Sequence, residues 1–204
     1  MISVADARTG KMEQAKVNAE KALQLLKSPS NVPEFYARGM VRDVLEDYDG
    51  AIADYDKALQ LDPERAPIYT SRANAYGAKN DYDRAIADLD RAIQLEPDRH
   101  RSYLDRGNLF SHKNDWDNAI ADFDMAIQLS PQNAETYNLR GDAYAHKGDD
   151  QHAILDYSEA IRLKPDFIVA FQNRAQAYER IGDKAKAQAD RDKVVELEKQ
   201  KAKP

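Results

Sequence analysis

Five arginines and five aspartates stand in one fixed relation. Arg38 and Asp54, Arg72 and Asp88, Arg106 and Asp122, Arg140 and Asp156, and Arg174 and Asp190 are each sixteen residues apart. A guanidinium is planar, carries five donors and stays charged, so it can grip a carboxylate with two parallel hydrogen bonds. Left in the open, five such arginines would form a basic ladder for an anionic ligand. The matched aspartates would neutralise that ladder, so the spacing points instead to structural pairs, made inside each unit or across adjacent units. Removing one partner of a buried pair strands the other, at a cost of about 3–5 kcal/mol.

The remaining reactive side chains assemble into nothing comparable. The histidines are His100, His112, His146 and His152, and no H-E-x-x-H, phosphate-binding loop or dinucleotide fingerprint accompanies them. His112 and His146 share one slot in consecutive units, so they are expected on one face about 10 Å apart, the spacing of packed helices. A metal there would need further ligands, and the expectation is two solvated histidines and no metal. The chain has no cysteine, which removes disulfides, thiol catalysis and cysteine-ligated zinc. No nucleophile, base and orienting group come together. The expectation is no enzyme and no cofactor.

Composition narrows the partners. A net charge of −6 lacks the basic stripe that a binder of nucleic-acid backbones needs. With 42% apolar and 32% charged residues, the chain suits thin packed layers with much exposed surface, and argues against disorder. No apolar run approaches the length of a membrane span. Residues 1–9 (MISVADART) lack the pattern of a signal peptide. The expected compartment is the cytoplasm, and a presequence removed before this numbering begins is left open.

The elements that position these residues follow from a period. Pro29, Pro63, Pro97, Pro131 and Pro165 are 34 residues apart, and the runs before the last four are near copies: AIADYDKALQLDP, AIADLDRAIQLEP, AIADFDMAIQLSP and AILDYSEAIRLKP. Such a period marks a stacked-repeat architecture. Inside one unit, Tyr103, Gly107, Leu109 and Phe110 recur at helical spacing, and Asn114-Asp115 breaks the helix. Ala119, Ile120, Phe123, Ala126 and Ile127 then mark a second helix, stopped by Ser130-Pro131. So short a connection makes the two helices antiparallel neighbours. Neither buries its face alone, so each pair must stack on the next. Helices are expected near 33–45 and 49–61 and at every 34-residue step after them.

These residues resemble the tetratricopeptide repeat. Tyr103, Arg106-Gly107, Phe110, Ala119, Phe123, Ala126 and Pro131 match its pattern W-x2-L-G-x2-Y, A-x3-F, P. Tyr69, Ala73, Tyr76, Ala85, Leu89, Ala92 and Pro97 fill the same slots, as do Tyr137, Gly141, Tyr144, Ala153, Tyr157, Ala160 and Pro165. The resemblance covers roughly residues 32–201. It implies an all-α, right-handed superhelical solenoid of antiparallel helix pairs. The arginines of the sixteen-residue pairs stand where the family usually has leucine. Trp116 is expected between the two helices of its pair, and Phe35, Tyr69, Tyr103, Tyr137 and Phe171 in the core between units.

The organisation read from the sequence is a degenerate leading half-repeat and linker at 1–31, then five repeats at 32–65, 66–99, 100–133, 134–167 and 168–201, with a tail at 202–204. The leading half-repeat is expected as a helix over Lys11–Lys27, residues 1–9 being too short for a partner helix. The first repeat departs from the pattern at Arg42 and Glu46-Asp47, and the last carries polar Gln188 and Arg191 on its outer face, as a capping element needs. Residues 1–9 and 200–204 are expected to be the least ordered.

What the resemblance implies about function is a groove lined by the first helix of each unit, holding a peptide or helical segment of a protein partner. Carried over, the lining slots are Asn74, Asn108, Asp142 and Gln176 in one row and Thr70, Leu104, Asn138 and Gln172 in a second, with His112, His146 and Arg180 farther along. Side-chain amides offer both a donor and an acceptor to a peptide backbone. The carboxylate-clamp type, which grips chaperone tails with lysines and an arginine, is set aside: its slots here hold Leu104, Asn108, Leu139, Val169 and Asn173. The expected function is a non-enzymatic interaction scaffold. The alternative is an accessory or regulatory subunit that docks or self-associates through the stack end at residues 1–31.

Overall fold

The computed structural model describes the backbone of residues 4–201 and the side chains from Glu13 to Lys201. Eleven helices and no strand occur among the described residues. The fold is an all-α solenoid of antiparallel helix pairs. The chain divides into two compact units, residues 1–97 and 98–204. The first holds α1 (Val4–Leu25) and the pairs α2 (Val32–Val44) with α3 (Tyr48–Leu61) and α4 (Ala66–Ala78) with α5 (Tyr82–Leu95). The second holds α6 (His100–His112) with α7 (Trp116–Leu129), α8 (Ala134–His146) with α9 (Asp150–Leu163), and α10 (Ile168–Arg180) with α11 (Lys184–Lys201). In each unit the second helix of a pair also packs on the first helix of the next, as α3 does on α4 and α9 on α10.

One difference from the sequence reading concerns the beginning. The leading helix starts at Val4, earlier than Lys11, so most of the stretch read as too short for a partner helix forms the first turns of α1. The tail at 202–204 lies outside the described residues.

Each hairpin turn is written in two residues. The residue after the first helix's C-cap takes positive φ: Glu46 (62°), Asn80 (61°), Asn114 (58°), Gly148 (80°) and Gly182 (84°). Asn and Gly enter this region readily, while a glutamate does so at a cost. The next residue is aspartate, and Asp47, Asp81, Asp115 and Asp149 each accept a bond from the backbone N–H three residues on. That satisfies one of the orphan donors of the following helix.

The core of each pair is a small residue opposite a large one. Ala51, Tyr55 and Ala58, and their counterparts Ala119, Phe123 and Ala126, are at most 1% exposed. A Cβ built on Gly107 would lie 2.7 Å from Phe123, and one on Gly141 2.7 Å from Tyr157. In the second pair the slot holds Ala73, and the facing residue is the smaller Leu89. Backbone approach and ring size are thus matched pair by pair. In the last pair Phe171 packs on Val194 and Leu197 of α11 and on Ile161 of α9.

Candidate functional site

The arginine on each first helix reaches the aspartate on its own second helix in one repeated geometry. Arg72 Nε donates to Asp88 Oδ2 at 2.8 Å and Nη2 to Oδ1 at 2.6 Å. Arg38 with Asp54 has the same 2.8 and 2.6 Å, as does Arg106 with Asp122. Arg140 with Asp156 has 2.8 and 2.7 Å, and so does Arg174 with Asp190. The aspartates are buried, at 2–6% exposure, and the arginine side chains keep 16–21% of theirs. Bidentate hydrogen bonding to Asp156 holds Arg140 above the ordinary guanidinium range, against the penalty of its burial, while burial pushes the Asp156 carboxyl up against the pull of Arg140.

A third bond from each of four arginines was not read from the sequence. Arg72 Nη1 donates to Asp56 at 2.5 Å, Arg140 Nη1 to Asp124 at 2.6 Å, and Arg174 Nη1 to Ser158 Oγ at 2.9 Å. These acceptors stand sixteen residues before the arginine, on the preceding second helix. Arg38 reaches the carbonyls of Leu26 and Lys27 at 3.3 and 3.1 Å, just past the end of α1. The fork therefore ties α4 to α3, α8 to α7 and α10 to α9 as well as closing its own pair. The recurrence of Asp56, Asp124 and Ser158 was in the sequence; its meaning required knowing which helix precedes the arginine in space. Each arginine also lies over the aromatic ring three residues earlier, such as Tyr69 at 5.5 Å and Phe171 at 5.6 Å.

The two rows assigned to the groove separate in the structure. Asn74 and Gln176 are exposed, and Asn108 and Asp142 half-buried. In the second row Thr70, Leu104 and Asn138 are buried, at 8, 3 and 5% exposure, which corrects their assignment to an open lining. The reason is packing between consecutive first helices. Asn173 of α10 donates to Asn138 of α8 at 3.3 Å, and Tyr36 of α2 meets Ser71 of α4 at 3.3 Å. Thr70 turns its hydroxyl back to the Ala66 carbonyl at 3.2 Å. Gln172 is exposed, and among the described residues no first helix packs beyond α10.

His112, His146 and Arg180 are exposed at the ends of their helices. Trp116 does not sit wholly within its own pair: it stacks on His146 with centroids 4.3 Å apart and planes 1° from parallel. Arg180 Nε likewise donates to Asp150 at 2.7 Å, and Lys147 pairs with Asp117. Within the second unit the antiparallel stack brings the ends of α8 and α10 beside the starts of α7 and α9, which is why these contacts lie 30 residues apart.

Between α8 and α10 the second unit opens a polar cavity of about 320 Å³, lined by Asp142, Ala145, His146, Asn173, Gln176 and Arg180, with Tyr157 of α9 at its floor. Tyr157 Oη donates to Asp142 Oδ1 at 2.7 Å, and Asn173 Nδ2 to the same oxygen at 2.8 Å. Asn138 Nδ2 donates to Oδ2 at 3.2 Å. Burial pushes the Asp142 carboxyl above its ordinary range, while the Tyr157 bond and nearby His146 pull the other way. Burial also raises the Tyr157 phenol, and the Asp142 charge reinforces the shift. Among the described residues no group of histidines and carboxylates is arranged to hold a metal ion, and no helix is long and apolar enough to cross a membrane.

These helix pairs, matched turns and inter-pair packing define the class, a helical-repeat scaffold. Sequence models of the tetratricopeptide repeat match residues 73–141, residues 45–80 and 141–182, and residues 168–201. Among solved structures, MamA is 30% identical with a TM-score of 0.78, covering 81% of this chain and 97% of that one. MamA from Desulfovibrio magneticus RS-1 is 18% identical, with a TM-score of 0.81 and coverage of 86% and 99%. YrrB, described as a TPR protein with an unusual peptide-binding site, is 21% identical with a TM-score of 0.71, covering 88% of this chain and 91% of that one. Comparison with curated proteins gives no match. The chain belongs to the tetratricopeptide repeat family, and its fold is that of a scaffold for protein–protein interaction.

Proposed function

We propose that the chain is a non-enzymatic scaffold that holds a peptide or helical segment of a protein partner against its first helices. The observation that carries this reading is the contrast between slots of one helix. The ladder arginines spend their donors inside the fold, whereas Asn74 and Gln176 stay exposed and Asp142 lines an open polar cavity. Amides at one recurrent slot can exchange paired hydrogen bonds with an extended backbone, which no apolar or singly charged side chain does. A groove of this kind binds by pre-arranged polar contacts, so its side chains can be removed without unfolding the pairs. Binding of a labelled random-peptide library, compared for wild type, Asn74→Ala, Gln176→Ala and a deletion of residues 1–31, tests the reading. The groove variants should weaken binding and the deletion should leave it. Loss on deletion alone would instead favour docking through the end of the stack.

A further inference from the structure

Asp142 is the exceptional carboxylate of the second unit. Asp122, Asp156 and Asp190 each face an arginine at 2.6–2.7 Å. Asp142 is half-buried too, yet its hydrogen bonds come from neutral groups alone: Tyr157, Asn173 and Asn138. Two donors occupy Oδ1, whereas Oδ2 receives one bond at 3.2 Å and keeps room for another. An ionised carboxylate drawn out of water without a counterion is costly, and a fold normally pairs it. Here the oxygen lines a cavity of about 320 Å³. The fixed cation of the lining, Arg180, is already bound by Asp150 at 2.6 Å. Arg180 and Asp150 compensate each other, so Asp142 is the carboxylate of the lining whose hydrogen bonds come from no cation.

We propose that this cavity is a subsite for a cationic side chain of the bound segment, a lysine ammonium or an arginine guanidinium. The inference rests on the groove reading above. A cation supplies the donor that Oδ2 lacks and the charge that Asp142 lacks, and the side-chain oxygens of Gln176 and Asn173 accept its remaining hydrogens. His146 of the lining is stacked on Trp116. A carboxylate in the same place would meet Asp142. An apolar side chain would strip the remaining water from Asp142 and give nothing in return.

The test uses the full chain and short, capped, fluorescein-labelled peptides of neutral random sequence with one fixed residue, either lysine, arginine, citrulline, leucine or glutamate, read by fluorescence polarisation. The lysine and arginine sets should bind about tenfold tighter than the citrulline set, the size of one charge-assisted hydrogen bond. The preference should shrink with added salt. Asp142→Asn should abolish it, since the amide oxygen still accepts from Tyr157 and Asn173 while the charge is gone. Gln176→Glu, at an exposed position of the lining, should enlarge it without touching the core. Equal binding of the lysine and citrulline sets, or a preference that survives Asp142→Asn, overturns the subsite and leaves the groove standing. Binding of no set at all overturns both.

Discussion

The pairs α2–α3 and α8–α9 make the same hairpin from different chemistry. In each, a second-helix tyrosine donates to a first-helix aspartate, Tyr55 to Asp43 and Tyr157 to Asp142. In each, an arginine closes the pair on an aspartate sixteen residues on. The slot of Tyr144 in α8, however, holds Arg42 in α2, which donates to Asp54 at 2.8 Å and to the Gly50 carbonyl at 2.9 Å. Asp54 is therefore held by two arginines and Asp156 by one. Where α8 carries Asp142 and His146, α2 carries Met40 and Val44, 48 and 49% exposed. Asp142 has three donors, while one oxygen of Asp43 is buried without a partner. The repeat thus holds its architectural slots constant and varies the outward ones, so binding chemistry can change from pair to pair without moving the backbone.

The largest expected effect tests the doubled arginine. Arg140→Leu leaves Asp156 buried with no guanidinium on it and should cost about 3 kcal/mol, the low end for a broken buried pair because Arg140 is partly exposed. Arg38→Leu should cost roughly half as much, since Arg42 still holds Asp54. Adding Arg42→Tyr should restore the full penalty, and adding Asp156→Ala to Arg140→Leu should relieve it. Urea unfolding of the five proteins measures all of this. Equal costs for Arg38→Leu and Arg140→Leu would show that the second arginine does not share the load.

Ring size against backbone approach comes next. Gly107→Ala forces Phe123 to move and should cost about 1–2 kcal/mol net, overpacking outweighing the gain in helix propensity. Combined with Phe123→Leu, which copies the Ala73 and Leu89 pair, it should cost less than the two single changes summed. An additive double mutant would mean that the two positions do not meet as described. A smaller effect separates the turns. Glu46 takes the positive φ that Gly148 takes in α8–α9, so Glu46→Asn should stabilise by about 0.5 kcal/mol, read as a raised unfolding midpoint. The change gives up only a 3.5 Å surface pair with Lys16.

The smallest effect has its own sign. Burial raises the folded-state pKa of Asp142 above its unfolded value, so the folded protein binds that proton more tightly. Charged Asp142 therefore lowers stability above the raised pKa, and the loss is recovered as pH falls through the window between the two values. Asp142→Asn should be at least as stable as wild type at neutral pH, with the difference closing in acid. Thermal melts of the two proteins across that range check it, and a gap that widens in acid would contradict it.

Much of the fold was legible because a 34-residue repetition states each instruction several times. Proline stops, Asn-Asp turns and the alanine–aromatic faces recur in register, so chance departures such as Arg42 could be recognised as departures. The candidate site was less legible. Asn74 and Gln176 were placed on an outward face by the family resemblance, and both are exposed. The burial of Thr70 and Asn138 could not be read, because it depends on how closely consecutive first helices approach, and the period of one helix carries no information about its neighbour. The stacking of Trp116 on His146 of the following pair was hidden for the same reason.

The sequence by itself determined the helices, their pairing and the identity of the residues that close each pair, since these follow from local spacing and from side chains that reach only their nearest partners. Tertiary structure alone decided that one half-buried carboxylate is held by neutral donors. Asp122, Asp156 and Asp190 lie beside an arginine and Asp142 beside two amides and a phenol. That distinction is set by three helices converging on one point, and the electrostatic cost of a half-buried charge exists only once they have converged.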